Sequence, residues 1–376
     1  MNRKIYLSLF FFIGISFSQT HFTIPQNVWR ISIQQEIATG NWKGNDGRNG
    51  WTDFSYQLDT SKYIINQQWK NNINTRSFLV EYGITNKSNI LIKVPIIKKF
   101  DQSHTWNSAS AKIDSLMQKY YPTNRSNSGL GDITIGMNLL FVGNPAWRGG
   151  KKKYSIYGGL DMIIPFGEPL MKFNSKDVDK NGVPYQFKQL PIGKGLTGWR
   201  LRTFGEFYRK FKGRLINVNW KAHASVFNRD IVNPPISFLS VNQLVSADSL
   251  SRSLGNVLFE QGMQLYGSLS GQIELLPRKI FFLVAMDYMI SGRDKYFSNN
   301  DSWDKWMVKR ENYDTKQFLS SQLIKFNIVN HDPFDRIGPL PFEIEIGARW
   351  FVPLLSKNTF GYTSSWIRFS TYLQAW

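Results

Sequence analysis

From Asp132 to Phe141 the chain alternates strictly. Ile133, Ile135, Met137, Leu139 and Phe141 share one face, while Asp132, Thr134, Gly136 and Asn138 share the other. A period of two predicts a strand with one oily face. The same alternation predicts twelve strands, over about 28–37, 75–85, 89–97, 128–141, 153–165, 197–209, 215–227, 257–275, 280–290, 317–329, 342–352 and 364–376. Typical oily sets are Trp29, Ile31, Ile33 and Ile37 in the first, and Phe259, Met263, Leu265, Leu269, Ile273 and Leu275 in the eighth. The opposite faces are polar, as with Arg30, Ser32, Gln34 and Glu36, or Asn217, Asn219, Lys221, His223 and Ser225.

The connections decide what the oily faces meet. Only "NKS", "KFKGR" and "PRK" separate strands two and three, six and seven, and eight and nine. The stretches 38–74, 98–129, 166–196, 228–256 and 291–316 are long. The remaining links are intermediate. Short and long links taking turns is the rhythm of an outer-membrane barrel, with short periplasmic turns and long external loops. A soluble sandwich or propeller predicts no such rhythm and an oily face against a core. The sequence therefore predicts an all-β, antiparallel transmembrane β-barrel of about twelve strands, with both termini periplasmic. The oily face looks at lipid.

The N-terminus fits export. Arg3 and Lys4 precede the apolar run "IYLSLFFFIGISF", with Ser16 and Ser18 at small-residue positions before Gln19. Residues 1–18 read as a signal peptide and 19–376 as the barrel. The localisation expected is the outer membrane of a Gram-negative-type bacterium. There is no cysteine, so disulfides contribute nothing. Thirteen Trp and 16 Tyr suit membrane interfaces. The formal net charge is +19, and losing Arg3 and Lys4 with the leader lowers it by two. For an exported chain that excess points to anionic lipid or lipopolysaccharide as a partner, not nucleic acid. The C-terminal strand departs from the usual pattern. Trp376 and Tyr372 share one phase, as an aromatic signal for the barrel-assembly machinery would, but Ile367, Phe369 and Leu373 fall on the other. Either a bulge shifts the register or the assembly signal is unusual.

Three motifs carry a resemblance. "EYGITNKSNILIKVPI" (81–96) is followed by "GLGD" (129–132) and "GLDMIIPFGE" (159–168). The chain resembles a family of bacterial outer-membrane proteins labelled as transporters or as phenol-degradation meta-pathway proteins. The matching residues are Tyr82, Gly83, Ile84, Thr85, Pro95, Gly129, Leu130, Gly131 and Asp132, and the likeness covers about 76–168. It implies a barrel that moves small hydrophobic or aromatic molecules passively; the alternatives are a lipid-acting hydrolase and a closed barrel with a structural role. The residues themselves also read as backbone chemistry, with Gly83 and Thr85 before a tight turn and Gly129 and Gly131 at a strand entrance.

Candidate chemistry is sparse. The predicted lumen carries the acids Glu36, Glu81, Asp132, Asp161, Glu206, Glu260, Glu274, Asp287, Glu343 and Glu345. Its bases are Arg30, Lys93, Arg200, Arg202, Lys221, Lys325 and Arg349. These charges either pair and fill the barrel or line a polar path that tunes selectivity. His223 and Ser225, two apart on one strand, with Asn228 just beyond, resemble the set of outer-membrane phospholipases. Alternation sends them to the lumen, whereas those enzymes keep the set facing lipid, so polar filling is the favoured reading and no enzyme is expected. "DVDKNG" offers Asp177, Asp179 and Asn181 at calcium-loop spacing, but the closing position holds Lys188, so no metal is expected. "NNDSWDKW" (299–306) is a weaker acidic cluster whose tryptophans suit an interface. Nothing has the spacing of a phosphate loop or zinc site, and no cofactor is expected.

Overall fold

The computed structural model describes residues 23–44, 51–58, 61–108, 110–111, 113–115, 123–144, 153–236, 247–310, 313–330 and 341–374. Residues 1–18, read as a signal peptide, and Trp376 lie outside the described residues.

Twelve antiparallel strands close on themselves. They are β1 (Val28–Lys43), β2 (Ser61–Thr85), β3 (Ser88–Ser108), β4 (Ile133–Gly143), β5 (Tyr154–Ile164), β6 (Gly198–Phe211), β7 (Arg214–Phe227), β8 (Gln264–Leu276), β9 (Ile280–Ser291), β10 (Gln317–Val329), β11 (Phe342–Phe351) and β12 (Thr359–Gln374). Each pairs with its neighbours in chain order, and β1 pairs with β12 to complete the ring. With the ring shut, no ladder edge is left in lipid.

The wall alternates as the sequence requires. Ile33, Ile37, Ile135, Met137, Leu139, Phe141, Leu201, Leu269 and Ile346 are exposed on the outside. Aromatic rings gather at the rims. Trp29 lies 4.6 Å from Tyr82, and Phe342 lies 5.9 Å from Phe369. Among the described residues no helix is long and apolar enough to cross a membrane. The turns are tight where the sequence is short. Lys212 and Gly213 both take positive φ, as a two-residue hairpin turn between β6 and β7 needs.

Strand β12 corrects the register expected from the C-terminus. Ile367, Phe369 and Leu373 face outward, and Tyr372 points inward with its hydroxyl on Glu343 Oε2 at 3.1 Å. Pairing with β1 runs without a bulge from Thr359 to Gln374. The inward face therefore gains Arg368.

Two stretches read as loops are largely strand. β2 has 25 residues and β3 has 21. At ~3.3 Å per residue, β2 runs about 80 Å, far more than the ~30 Å of hydrocarbon. Their outer halves stand above the membrane and recruit two further strands, Trp51–Leu58 against β2 and Asn124–Leu130 against β3. There the outward face is polar and the inward face mixes Ile65, Trp69 and Ile73 with Gln67 and Asn71, so the alternation that lipid imposes fades while the backbone ladder continues.

The resemblance motifs sit at chain crossings. Beyond Lys93, β3 leaves β4 and pairs with Asn124–Leu130 instead. Pro95, which has no N–H, stands at that switch and accepts the N–H of Gly131 at 2.8 Å. A Cβ on Gly131 would sit 3.0 Å from the Pro95 ring. At the other end, a Cβ on Gly83 would meet the Pro25 carbonyl oxygen at 2.0 Å. Both glycines let one backbone cross closely against another.

Candidate functional site: a filled lumen and an external cap

The lumen is built from inward positions of neighbouring strands. In sheet order, β10, β11, β12, β1 and β2 contribute one charged arc. Lys325 Nζ and Arg368 Nη2 each lie 2.7 Å from Glu345 Oε2, and Trp366 Nε1 donates to Glu345 Oε1 at 2.8 Å. Arg368 also reaches Glu343 Oε1 at 3.9 Å. Arg30 holds Glu81 at 2.5 Å, and Asn89 donates to the other Glu81 oxygen at 3.3 Å. Facing strands make a second group. Asp161 takes Arg202 at 2.5 Å and Arg200 at 3.7 Å, and Glu206 accepts from Ser155 at 2.8 Å and Tyr157 at 3.1 Å. Arg349 reaches Asp287 at 3.3 Å. Glu36 accepts a 3.3 Å bond from Gln34. Lys93 and Lys221 are half-buried on inward positions of β3 and β7.

These groups are packed, not merely enclosed. Glu345 and Lys325 are each 1 % exposed. Between the charges lie apolar side chains that alternation alone would not place inside. Leu283, Ala285, Leu323 and Trp366 form one cluster, and Leu140, Tyr157 and Phe204 another, with Tyr157 stacked on Phe204 at 5.2 Å. A buried ion pair needs hydrogen bonds on its spare atoms to offset desolvation.

One predicted lumen residue sits outside the barrel, and two stand at its ends. Glu260 lies outside the barrel, in a short strand Val257–Glu260, bonded to Arg229 and Lys295 at 2.6 Å each. β8 begins only at Gln264, so Phe259, read as part of its oily face, is instead buried in the cap. Glu274 is at the periplasmic end, where it accepts the backbone N–H of Arg278 at 2.5 Å and of Leu215 at 2.8 Å, tying two turns together. Asp132 sits at the external rim and accepts the Gly167 N–H at 3.0 Å.

The phospholipase-like set is not assembled. Ser225 Oγ accepts from Arg200 Nε at 3.2 Å, and His223 stacks on Tyr266 at 4.6 Å. No hydrogen bond joins His223 to Ser225. Asn228 lies past the end of β7, its backbone N–H on Thr197. The calcium-like loop is closed by its lysine. Asp179 Oδ1 accepts the N–H groups of Asn181 and Val183 at 2.9 Å each, and Oδ2 pairs with Lys188. Lys188 thus supplies the cation, and Asp177 and Asn181 are exposed. The Lys188 ammonium and backbone N–H groups hold the Asp179 carboxyl below its usual range. Among the described residues no cluster could hold a metal.

Sequence reasoning missed the cap. Residues 166–197, 228–236, 247–263, 292–310 and 313–316 fold over the external mouth around their own apolar core. That core includes Phe173, Phe187, Leu250, Leu254, Phe259, Tyr296, Trp303 and Trp306. Two short helices, α1 (Ala247–Leu254) and α2 (Asp301–Val308), supply part of it. The tryptophans of "NNDSWDKW" are therefore not at a lipid interface. Asn300 caps α2 by accepting the Trp303 N–H at 3.1 Å, and Trp303 is fully buried. The signals were local: Leu250 and Leu254 four apart, and Trp303, Trp306 and Met307 spaced three and four apart.

Within the cap lies a cavity of about 230 Å³. Leu170, Phe187, Ile231, Ile236, Phe259 and Tyr296 give it apolar walls, and Gln102, Arg125 and Lys194 give it polar points. Lys194 Nζ lies 5.4 Å above the Phe259 ring. Burial pulls Lys194 down from its ordinary value, against the pull of Asp294 and Asp132. Burial also raises Asp294, and raises Asp132 to about 6. A second hollow, about 690 Å³, indents the outer wall. It is floored by the small residues Gly158, Thr203, Ala222 and Ala224, and inward-facing Gly159, Arg202, His223 and Tyr266 contribute to its lining.

Known structures share this architecture. The crystal structure of the COG4313 outer membrane channel from Pseudomonas putida F1 is 11% identical, covers 93% of this chain and 97% of that one, and superposes with a TM-score of 0.53. The chain shares that fold, a closed antiparallel β-barrel of twelve strands. The translocator domain of the autotransporter NalP from Neisseria meningitidis (8% identical, 95% and 90% covered, TM-score 0.37) is more distant. So is the CymD monoaromatic hydrocarbon channel (8%, 93% and 90%, TM-score 0.32). Neither carries an argument about this chain. No family model matches the sequence, and no curated protein matches it.

Proposed function

We propose that the protein is a passive path for small apolar molecules, aromatic ones included, across the outer membrane. The observation that carries this reading is the apolar cavity in the external cap, standing over a lumen filled with packed and paired side chains. A wide water-filled pore would leave lumen charges hydrated, whereas Glu345, Lys325 and Glu81 are almost wholly buried. The small-residue hollow over β5 to β8 gives an apolar molecule a place to leave toward lipid. The motif resemblance at 81–132 points to the same cargo class. The lumen-facing charges Arg30, Glu36, Glu81, Lys93, Asp161, Arg200, Arg202, Glu206, Lys221, Asp287, Lys325, Glu343, Glu345 and Arg349 hold the wall in shape in this reading. It implies lipid and lipopolysaccharide around the oily belt, and barrel-assembly machinery for insertion.

Planar-bilayer recording of the refolded chain tests the filled lumen. The expected trace shows insertion without large, long-lived conductance steps. Steady porin-like steps would overturn this reading.

A further inference from the structure

We infer that the cap cavity binds a small aromatic anion, a single ring carrying one carboxylate-type group. The inference rests on reading the cavity as the entry site for cargo, and it adds to the apolar cargo of that reading a ring that carries one anionic group.

Size comes first. A dry apolar cavity of ~150 Å³ accepts benzene. The cap cavity, at about 230 Å³, has space for a ring and one substituent. Shape comes second. Phe187, Phe259 and Tyr296 line it, with the Phe259 and Tyr296 rings 4.8 Å apart and inclined at 44°. Tilted rings of this kind accept a third ring edge-on or offset. Charge comes third. Arg125 and Lys194 both line the cavity, and among the described residues no Asp or Glu does.

Both cations are held in place. Gln102 Oε1 accepts from Arg125 Nη2, and Gln102 in turn donates to Asn71 Oδ1 at 3.1 Å, so an amide without charge orients the guanidinium. Lys194 feels Asp294 and Asp132, which are not part of the lining. Arg125 has the geometry of an anion anchor. Its planar fork matches a carboxylate and offers two parallel hydrogen bonds.

Titration calorimetry on the refolded full chain in detergent, with benzoate and benzamide as probes, tests this. Benzoate is expected to bind, and benzamide, equal in shape but neutral, about tenfold or more weakly, the factor that ~1.4 kcal/mol of charge-assisted bonding gives. Arg125→Gln should erase the preference for benzoate. Ile231→Trp, at the exposed mouth, should weaken both probes. Equal binding of the two probes, or a preference that survives Arg125→Gln, overturns the anion assignment. No binding of either overturns the site. Binding and passage are separate readouts. Passage of a neutral aromatic without benzoate binding sinks this inference and leaves the proposed function. Benzoate binding without passage of any aromatic sinks the proposed function and leaves the site.

Discussion

Glu345→Gln probes the filled lumen at its most buried ion cluster. The substitution keeps volume and leaves an acceptor for Trp366 Nε1, but removes two contacts of 2.7 Å, to Lys325 and Arg368. At an effective dielectric near 20, each contact corresponds to roughly 6 kcal/mol of attraction. Relief of the buried carboxylate's desolvation offsets much of that. What remains is two buried cations, 1 % and 3 % exposed, with Glu343 3.9 Å from Arg368. Breaking a buried pair from one side costs about 3–5 kcal/mol, and that is the expected loss. Lys325→Met added to Glu345→Gln removes one stranded charge and should recover part of it. Urea unfolding in lipid vesicles, followed by tryptophan fluorescence, reads both variants. A loss under about 1 kcal/mol would mean that water screens the cluster as it does a surface pair, and the packed lumen would be refuted.

Four further outcomes are expected. Burial raises Asp132 to about 6, so this carboxyl contributes stability that is full below its unfolded value near 4 and is lost as pH rises through 6. Asp132→Asn should therefore match the parent's melting temperature near pH 4 and exceed it at pH 7 to 8, and a constant offset at all pH values would contradict this. Trp303→Ala should cost the cap about 3–5 kcal/mol and admit protease between 247 and 310 while the barrel's own unfolding midpoint stays put. Millimolar calcium should leave thermal unfolding unchanged, since Lys188 already pairs with Asp179. The parent and Ser225→Ala should be equally inert toward short-chain esters, because Arg200 holds the Ser225 hydroxyl and His223 does not. Hydrolysis lost in the variant would reverse that reading.

The barrel was legible because lipid imposes a simple rule. Where one face meets hydrocarbon, alternation of oily and polar residues is strict, as from Ile133 to Phe141. The rule stops at the membrane surface, which is why the outer halves of β2 and β3 read as loop. It also says nothing of the inner face, which tolerates Leu283 and Trp366 as readily as Glu345. In β12 the aromatic Tyr372 misled, because a tyrosine suits an interface and a buried hydrogen bond to Glu343 equally well. Glu260 fell in phase with β8 by chance, since two periods of two cannot be told apart across the irregular chain between Glu260 and Gln264. The cap was hidden for another reason. Its core joins Phe187, Phe259 and Trp303 from three separate loops, and no local pattern announces such a meeting.

Passive passage of small apolar molecules is tested most directly by initial uptake rates into vesicles whose outer leaflet is lipopolysaccharide. The pair to compare is benzyl alcohol and erythritol, similar in mass and opposite in polarity. The barrel is expected to speed benzyl alcohol and leave erythritol at the rate of protein-free vesicles. Equal acceleration of both would mean an open water-filled pore, and acceleration of neither would mean that the barrel passes no such cargo.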